Sequence, residues 1–166
     1  MTSLLYFSYG SNMSTPRLVD RVPSAKAVSV AHLEGHRLKF HKRSTDGSGK
    51  CDIELTNDPN DVVYGVVFQI LASEKLALDK KEGIGKGYNE KSVSVIGNND
   101  ELLNTVTYYA TDIDSSLKPY HWYKEHVVRG AKEHNLPAEY IETVEAVESV
   151  PDQNPKNHEI ELSIYR

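Results

Sequence analysis

The run Val62–Leu71 constrains the fold of this 166-residue chain more than any other stretch. It is the most apolar segment, and its apolar residues include Val62, Val63, Val66, Val67, Phe68 and Ile70. A continuous apolar run of this length predicts a central β-strand that is buried on both faces. Gly65 lies inside the run and predicts either a close approach of another backbone segment or a β-bulge.

Shorter segments predict further strands, because apolar and polar residues alternate along them. In residues 36–43 the alternation centres on Leu38 and Phe40, and in residues 159–165 it involves Ile160, Leu162 and Ile164. A hairpin turn is predicted at residues 97–100. The remaining predicted strands cover residues 4–7, 28–33, 51–56, 92–96 and 102–111.

Helix signals occur at four places. Ser14 precedes Pro16 and predicts one helix start, and Ser73 is expected to cap a second helix that ends at Gly83,. After Pro119 apolar residues recur every three or four positions, which is typical of an amphipathic helix. Residues 135–137 (Asn-Leu-Pro) are expected to end that helix and begin another. Together the elements predict a single α+β domain over residues 1–166, with helices beside a strongly curved, mostly antiparallel sheet.

The N-terminal segment combines a predicted strand, a tight turn and a helix start. Gly10 is expected to adopt a positive φ, and Asn12 to cap backbone groups. Such a turn directs several backbone N–H groups toward one point, where they can bind a carboxylate, a phosphate or an oxyanion. The residues alone equally allow a simple link between strand and helix. The segment reads Tyr6-Phe7-Ser8-Tyr9-Gly10-Ser11-Asn12-Met13.

This segment resembles the N-terminal "FAYGSNL" signature of the γ-glutamylcyclotransferase family. Three later stretches are similar to the same family and occur in the same order. They are Tyr64-Gly65-Val66-Val67-Phe68, Leu78-Asp79-Lys80-Lys81-Glu82-Gly83 and Gly130-Ala131-Lys132-Glu133-His134-Asn135-Leu136-Pro137. The resemblance covers most of the chain and implies a small mixed, mostly antiparallel β-barrel with helices packed outside.

The resemblance also implies an enzyme that converts γ-glutamyl amino acids to 5-oxoproline and a free amino acid. Glu82 falls on the family's catalytic glutamate and would act as the general acid and base. Taken by itself, a glutamate before Gly83 is typical of a solvated helix end. Burial and the helix C-terminus would both raise its pKa toward a range that suits proton transfer.

The resemblance assigns the remaining site residues to substrate binding. Tyr88 and Tyr108 correspond to substrate-contacting tyrosines of the family, while the residues alone equally allow core or surface aromatics. The N-terminal loop would anchor the γ-glutamyl group through Tyr6, Phe7, Ser8, Tyr9, Gly10, Ser11 and Asn12.

Three alternatives stay open at this point. One is a ligand-binding relative without turnover, and the others are cyclotransferases that act on γ-glutamylamines or on glutathione. The stretch from Gly130 to Tyr140 is more similar to the enzymes for γ-glutamyl amino acids, which favours γ-glutamyl dipeptides. The implied partner is thus a small γ-glutamyl substrate, without metal or cofactor, and a homodimer is left open.

Charge and composition bear on partners and compartment. The net charge of −5 argues against binding to nucleic acid or to anionic membrane,. A single cysteine, Cys51, no leader segment and no apolar run of about 20 residues together predict a cytoplasmic protein,. One basic cluster is expected to form the solvated face of a strand, and it comprises His36, Arg37, Lys39, His41, Lys42 and Arg43.

Overall fold

The computed structural model describes all residues from Met1 to Arg166. Five strands form a closed barrel in the order β1-β5-β2-β6-β7, and β3 and β4 form a separate two-stranded sheet. Most neighbouring strands are antiparallel, and a parallel pair between Tyr6 and Val106 closes the barrel. The seven strands are β1 (Ser3–Ser8), β2 (Lys26–Glu34), β3 (His36–Arg43), β4 (Gly49–Leu55), β5 (Val62–Leu71), β6 (Tyr88–Gly97) and β7 (Leu102–Ala110). The predicted α+β fold with a small, mostly antiparallel barrel is therefore confirmed.

The central position of β5 follows from its apolar sequence. It pairs with β1 on one side and with β2 on the other, and five of its residues are buried hydrophobics. A Cβ at Gly65 would lie 2.3 Å from the carbonyl oxygen of Ser8 and 2.8 Å from the Phe7 ring. Gly65 thus marks a close backbone approach, and it brings the end of β1 against β5.

The basic side chains of the β3–β4 hairpin are less exposed to solvent than the sequence predicted. A register shift between Lys39 and Lys42 interrupts the alternation, and His36, His41 and Lys42 are buried. Arg37 stays exposed. The prediction that the whole basic cluster forms a solvated face is wrong, because the bulge rotates part of it inward.

Five α-helices lie outside the barrel, namely α1 (Thr15–Arg21), α2 (Lys75–Glu82), α3 (His121–Glu133), α4 (Ala138–Glu145) and α5 (Pro155–Leu162). None of them has both the length and the apolar content that crossing a bilayer requires. The predicted cap at Ser73 is wrong, since Ser73 lies in the 3-10 turn Ala72–Glu74 that precedes α2. The predicted end of α2 is confirmed, because Gly83 has φ +74° in a left-handed C-cap.

The C-terminal segment corrects another prediction. Residues 159–165 were expected to form a strand, but they lie in α5 and in the 3-10 turn Ser163–Tyr165. Asn154 caps this helix by accepting a hydrogen bond from the Lys156 N–H, and Pro155 occupies its first turn,. Ile160 is 65% exposed, so the apolar alternation did not mark a buried face.

Helix α3 positions the N-terminal turn. At Gly130 a Cβ would lie 2.6 Å from the backbone carbon and the Cβ of Met13. The helix therefore packs directly on the 3-10 turn Ser11–Met13, which follows β1. This contact fixes the turn at one end of the barrel.

Candidate active site

A small cavity, partly open to solvent, lies where β1 ends. Its wall is formed by three barrel strands (β1, β6 and β7), the turn after β1, the start of β4, the end of α2 and α3. The lining residues are Tyr6, Tyr9, Gly10, Ser11, Asn12, Cys51, Glu82, Tyr88, Tyr108 and Tyr123. Segments that are distant in the sequence thus converge on a single space.

Eight of the ten residues predicted from the sequence line this cavity, and Phe7 and Ser8 do not. Phe7 alternates with Tyr6 along β1 and is fully buried in the apolar core. Ser8 is 1% exposed, and its hydroxyl has no hydrogen-bond partner. The structure therefore gives these two residues a place in the barrel wall, outside the cavity lining.

Glu82 is the last residue of α2 and the only carboxylate among the lining residues. Its Oε1 accepts a hydrogen bond of 2.7 Å from Asn12 Nδ2. Asn12 also donates to the Tyr6 hydroxyl at 3.2 Å, and its Oδ1 accepts from Arg21 Nη1 at 3.2 Å. Arg21 thereby fixes which way the Asn12 amide points, and Asn12 in turn holds the carboxylate.

Burial raises the pKa of Glu82 above its ordinary value. The charges of Arg21, Arg17 and Lys42 and the hydrogen bond from Asn12 all oppose this rise in pKa. Desolvation is the largest effect, so Glu82 holds a proton more readily than a solvated glutamate does. A carboxyl group with a raised pKa is suited to accept and return a proton during a reaction.

Gly10 does not adopt the predicted positive φ. Its φ is −117° and its ψ is −140°, so the expectation of a left-handed residue is wrong. The reason for a glycine is space, because a Cβ there would lie 3.1 Å from the Cβ of Cys51 and 3.5 Å from the Tyr123 hydroxyl. The following residues form a single 3-10 turn, whose first backbone N–H groups have no partner within the turn,.

The tyrosine hydroxyls of the wall are bonded to the protein. Tyr9 donates to the carbonyl oxygen of Tyr108 and Tyr88 to that of Cys51, each at 2.6 Å, and Tyr108 donates to Asp79 Oδ1 at 2.6 Å. Burial raises the pKa of each of these three phenols well above its ordinary value. The wall around Glu82 is therefore neutral and held in place.

Two lining residues were not identified from the sequence. Cys51 lies in β4, and burial raises the pKa of its thiol to about 12, which keeps the thiol neutral. Tyr123 lies in α3, and its hydroxyl accepts a hydrogen bond of 3.0 Å from the Cys51 N–H. Both lie in elements that the sequence predicted, a strand over residues 51–56 and the helix after Pro119, but no motif marked them as part of a site.

Beside the cavity runs a second depression that we call the cationic groove. It shares Glu82 and three other residues with the cavity wall. Apart from Glu82, Asp46 is the only acidic residue in its lining. Its cations are Arg17, Arg21, Lys42, Lys50, Lys81 and Lys86. Glu82 thus stands between a neutral cavity and a positively charged opening.

Comparisons with known proteins agree with this architecture. The model of the AIG2-like family matches residues 62–144. Proteins named γ-glutamylcyclotransferase from Bos taurus and Homo sapiens are each 35% identical over 164 residues, with 96% of this chain and 86% of the relative covered. A solved structure named γ-glutamyl cyclotransferase is 32% identical and has a TM-score of 0.87, with 96% of this chain and 98% of that chain covered.

Proposed function

This chain belongs to the γ-glutamylcyclotransferase family, and we propose that it converts γ-glutamyl amino acids to 5-oxoproline and a free amino acid. The observation that carries this proposal is Glu82, whose carboxyl group faces the cavity with its pKa raised by burial. Asn12 holds this group at 2.7 Å. A ligand-binding relative without turnover would gain nothing from a desolvated acid, which is costly to keep buried.

In the proposed reaction the substrate supplies its own nucleophile. The α-ammonium group gives up a proton to Glu82, and the free amine attacks the γ-carbonyl carbon. The new C–N bond closes a five-membered lactam. The bond to the leaving nitrogen then breaks as that nitrogen receives the proton held by Glu82. The attacking nitrogen loses its second proton, which passes to the departing amine, so the lactam is neutral and the amino acid leaves as an ammonium ion. Atoms and charge balance without a second reactant, because the substrate divides into 5-oxoproline and the amino acid.

The cavity supports this reaction by positioning. Amine and carbonyl must be held in contact, and such orientation can contribute about 7–11 kcal/mol to lowering a barrier. The N-terminal turn offers backbone N–H donors for the substrate α-carboxylate or for the developing oxyanion. Tyr88 and Tyr108 would then act as fixed walls, since their hydroxyls already donate to protein acceptors.

The direct test is a screen for 5-oxoproline release from γ-glutamyl compounds. Purified protein should release 5-oxoproline from γ-glutamyl-alanine in proportion to enzyme and time. Binding of 5-oxoproline without any turnover of γ-glutamyl compounds would instead favour a non-catalytic relative.

The same assay defines the substrate class. Glu82 and the turn recognise the γ-glutamyl half, which all candidate substrates share, so discrimination depends on the leaving group. We expect kcat/KM for γ-glutamyl-alanine to exceed that for glutathione by about 10- to 200-fold. A ratio near one, or a preference for glutathione, would contradict the dipeptide assignment while leaving the chemistry at Glu82 intact.

A further inference from the structure

Lys42 is an unusual residue of the cationic groove. It is only 8% exposed, yet its ammonium group forms no hydrogen bond or ion pair within the protein. Its contact is with the Tyr88 ring, whose centroid lies 4.7 Å from Nζ. Buried lysines are rare unless they are paired, because desolvating an ammonium group is costly.

The bulge of β3 explains why the Lys42 side chain is buried at the groove. The register shifts between Lys39 and Lys42, and Lys42 then pairs with Lys50 across the hairpin. Two lysines are thereby placed opposite each other at the groove. A charged pair of the same sign on neighbouring strands is destabilising unless something compensates for it.

The neighbouring cations are also incompletely paired. Lys50 Nζ lies 3.4 Å from Asp46 Oδ2 and 4.2 Å from the centre of the Trp122 ring. Arg21 donates to the neutral Asn12 amide and has no carboxylate partner within 4 Å. Among the mostly buried cations of the groove, Arg17 and Lys50 have acidic partners, Glu161 at 2.6 Å and Asp46 at 3.4 Å. Lys42 and Arg21 have none. The groove therefore offers positive charge to an anion that is not part of the protein.

We propose that the groove around Lys42, Lys50 and Arg21 binds the side-chain carboxylate of an acidic leaving amino acid. This proposal rests on the proposed function, because it takes the scissile bond to lie at Glu82. The groove begins at Glu82, so a leaving group bonded to a γ-carbonyl in the cavity extends into it. The preferred substrates are then γ-glutamyl-glutamate and γ-glutamyl-aspartate.

The test compares two substrates of the same size, γ-glutamyl-glutamate and γ-glutamyl-glutamine. They differ only in whether the leaving side chain carries a charge. We expect kcat/KM to favour the acidic substrate about tenfold at low salt, a factor that one charge-assisted contact can supply. The ratio should fall as salt is added, because mobile ions screen the groove.

Three variants locate the effect. Lys42→Met should bring the ratio of the two kcat/KM values toward one, and Lys42→Arg should retain the preference. Lys91→Met is the matched control, since Lys91 also lies over a tyrosine ring, at 5.6 Å from Tyr109, but outside the groove. It loses the same unit of charge and should leave the ratio unchanged.

The possible outcomes separate the two proposals. Equal kcat/KM for both substrates in the unmodified protein would overturn the subsite while 5-oxoproline release continued. An unchanged ratio in folded Lys42→Met, or an equal loss in the Lys91 control, would overturn the role of Lys42. Absence of 5-oxoproline from either substrate would overturn the proposed function, and with it the subsite.

Discussion

The cavity wall and the cationic groove lie side by side but use their polar groups in opposite ways. In the wall the hydroxyls of Tyr9, Tyr88 and Tyr108 all donate to protein acceptors. In the groove Lys42 and Arg21 have no carboxylate partner, although both are largely withdrawn from solvent. The tyrosine hydroxyls of the wall are neutral and bonded within the protein, whereas two cations of the groove have no acidic partner.

This difference indicates separate tasks for the two surfaces. Hydrogen bonds from the tyrosine hydroxyls to other groups of the protein hold the shape of the cavity, and a fixed shape suits the orientation of a substrate. Unpaired cations leave electrostatic binding available to a charged group. Glu82 belongs to both surfaces, and its pKa reflects both, because burial raises it while Arg21 and Lys42 lower it.

The largest expected effect is on turnover and comes from replacing Glu82, a residue that the cavity wall and the groove share. The Glu82→Gln variant keeps the shape and the contact with Asn12 but cannot transfer a proton. We expect kcat to fall by about 10²–10⁴-fold, as is typical when general acid–base catalysis is lost. The measurement is steady-state release of 5-oxoproline from γ-glutamyl-alanine.

Glu139→Gln is the matched control for this experiment. Glu139 is exposed in the first turn of α4, and the change removes the same charge. Its turnover should equal that of the unmodified protein. If Glu82→Gln also retained turnover within a factor of a few, Glu82 would have no part in the mechanism.

A smaller effect, on the affinity for 5-oxoproline, tests whether the N-terminal turn binds the substrate. A valine at Gly10 would crowd Cys51 and Tyr123, which should displace the turn and weaken binding of 5-oxoproline about tenfold or more,. Ser11→Ala loses only a hydroxyl that accepts a hydrogen bond from Arg17 Nε at 3.2 Å, so it should weaken binding less. Calorimetric titration of both folded variants decides this, and undiminished affinity in Gly10→Val would place the anchor elsewhere.

The smallest effect concerns stability and pH. The pKa of Glu82 is raised in the folded state above its ordinary value of 4.5, so folding favours the protonated form. The stability from this preference is fully present below pH 4.5 and is lost as pH rises through the folded-state pKa. Glu82→Gln should therefore unfold at a higher temperature than the unmodified protein at neutral pH, by a few degrees.

That difference in melting temperature should shrink on acidification and disappear below pH 4.5. Thermal unfolding measured for both proteins from pH 4 to pH 8 tests this expectation. A constant difference across the range would mean that the substitution acts through packing and not through the carboxylate charge.

The sequence predicted most of the barrel because its signals are local. The apolar run of β5, the alternation in the hairpin strands and the glycine at the end of α2 each determine their own element. Local alternation was misleading at the C-terminus, where Asn154 and Pro155 begin a helix. There the capping signal was present and outweighed three apolar residues in alternate positions.

Much of the candidate site followed from the resemblance, since Glu82 and the turn residues lie in motifs that can be recognised from sequence. Phe7 and Ser8 were included only because they share a motif with Tyr6, and the pleat of β1 turns Phe7 into the core,. Cys51 and Tyr123 belong to no motif, and their place in the wall depends on how β4 and α3 pack.

By itself the sequence predicted the seven strands, and through the resemblance it singled out the N-terminal loop and Glu82, because periodicity, turn chemistry and motifs are properties of residues close together in the chain. Only the tertiary structure decided why Gly10 is small and where Lys42 points. Gly10 is limited by Cys51 and Tyr123, which approach from distant segments. Lys42 faces the groove because a register shift between two strands rotates it, and cross-strand register is set by packing of the whole sheet,.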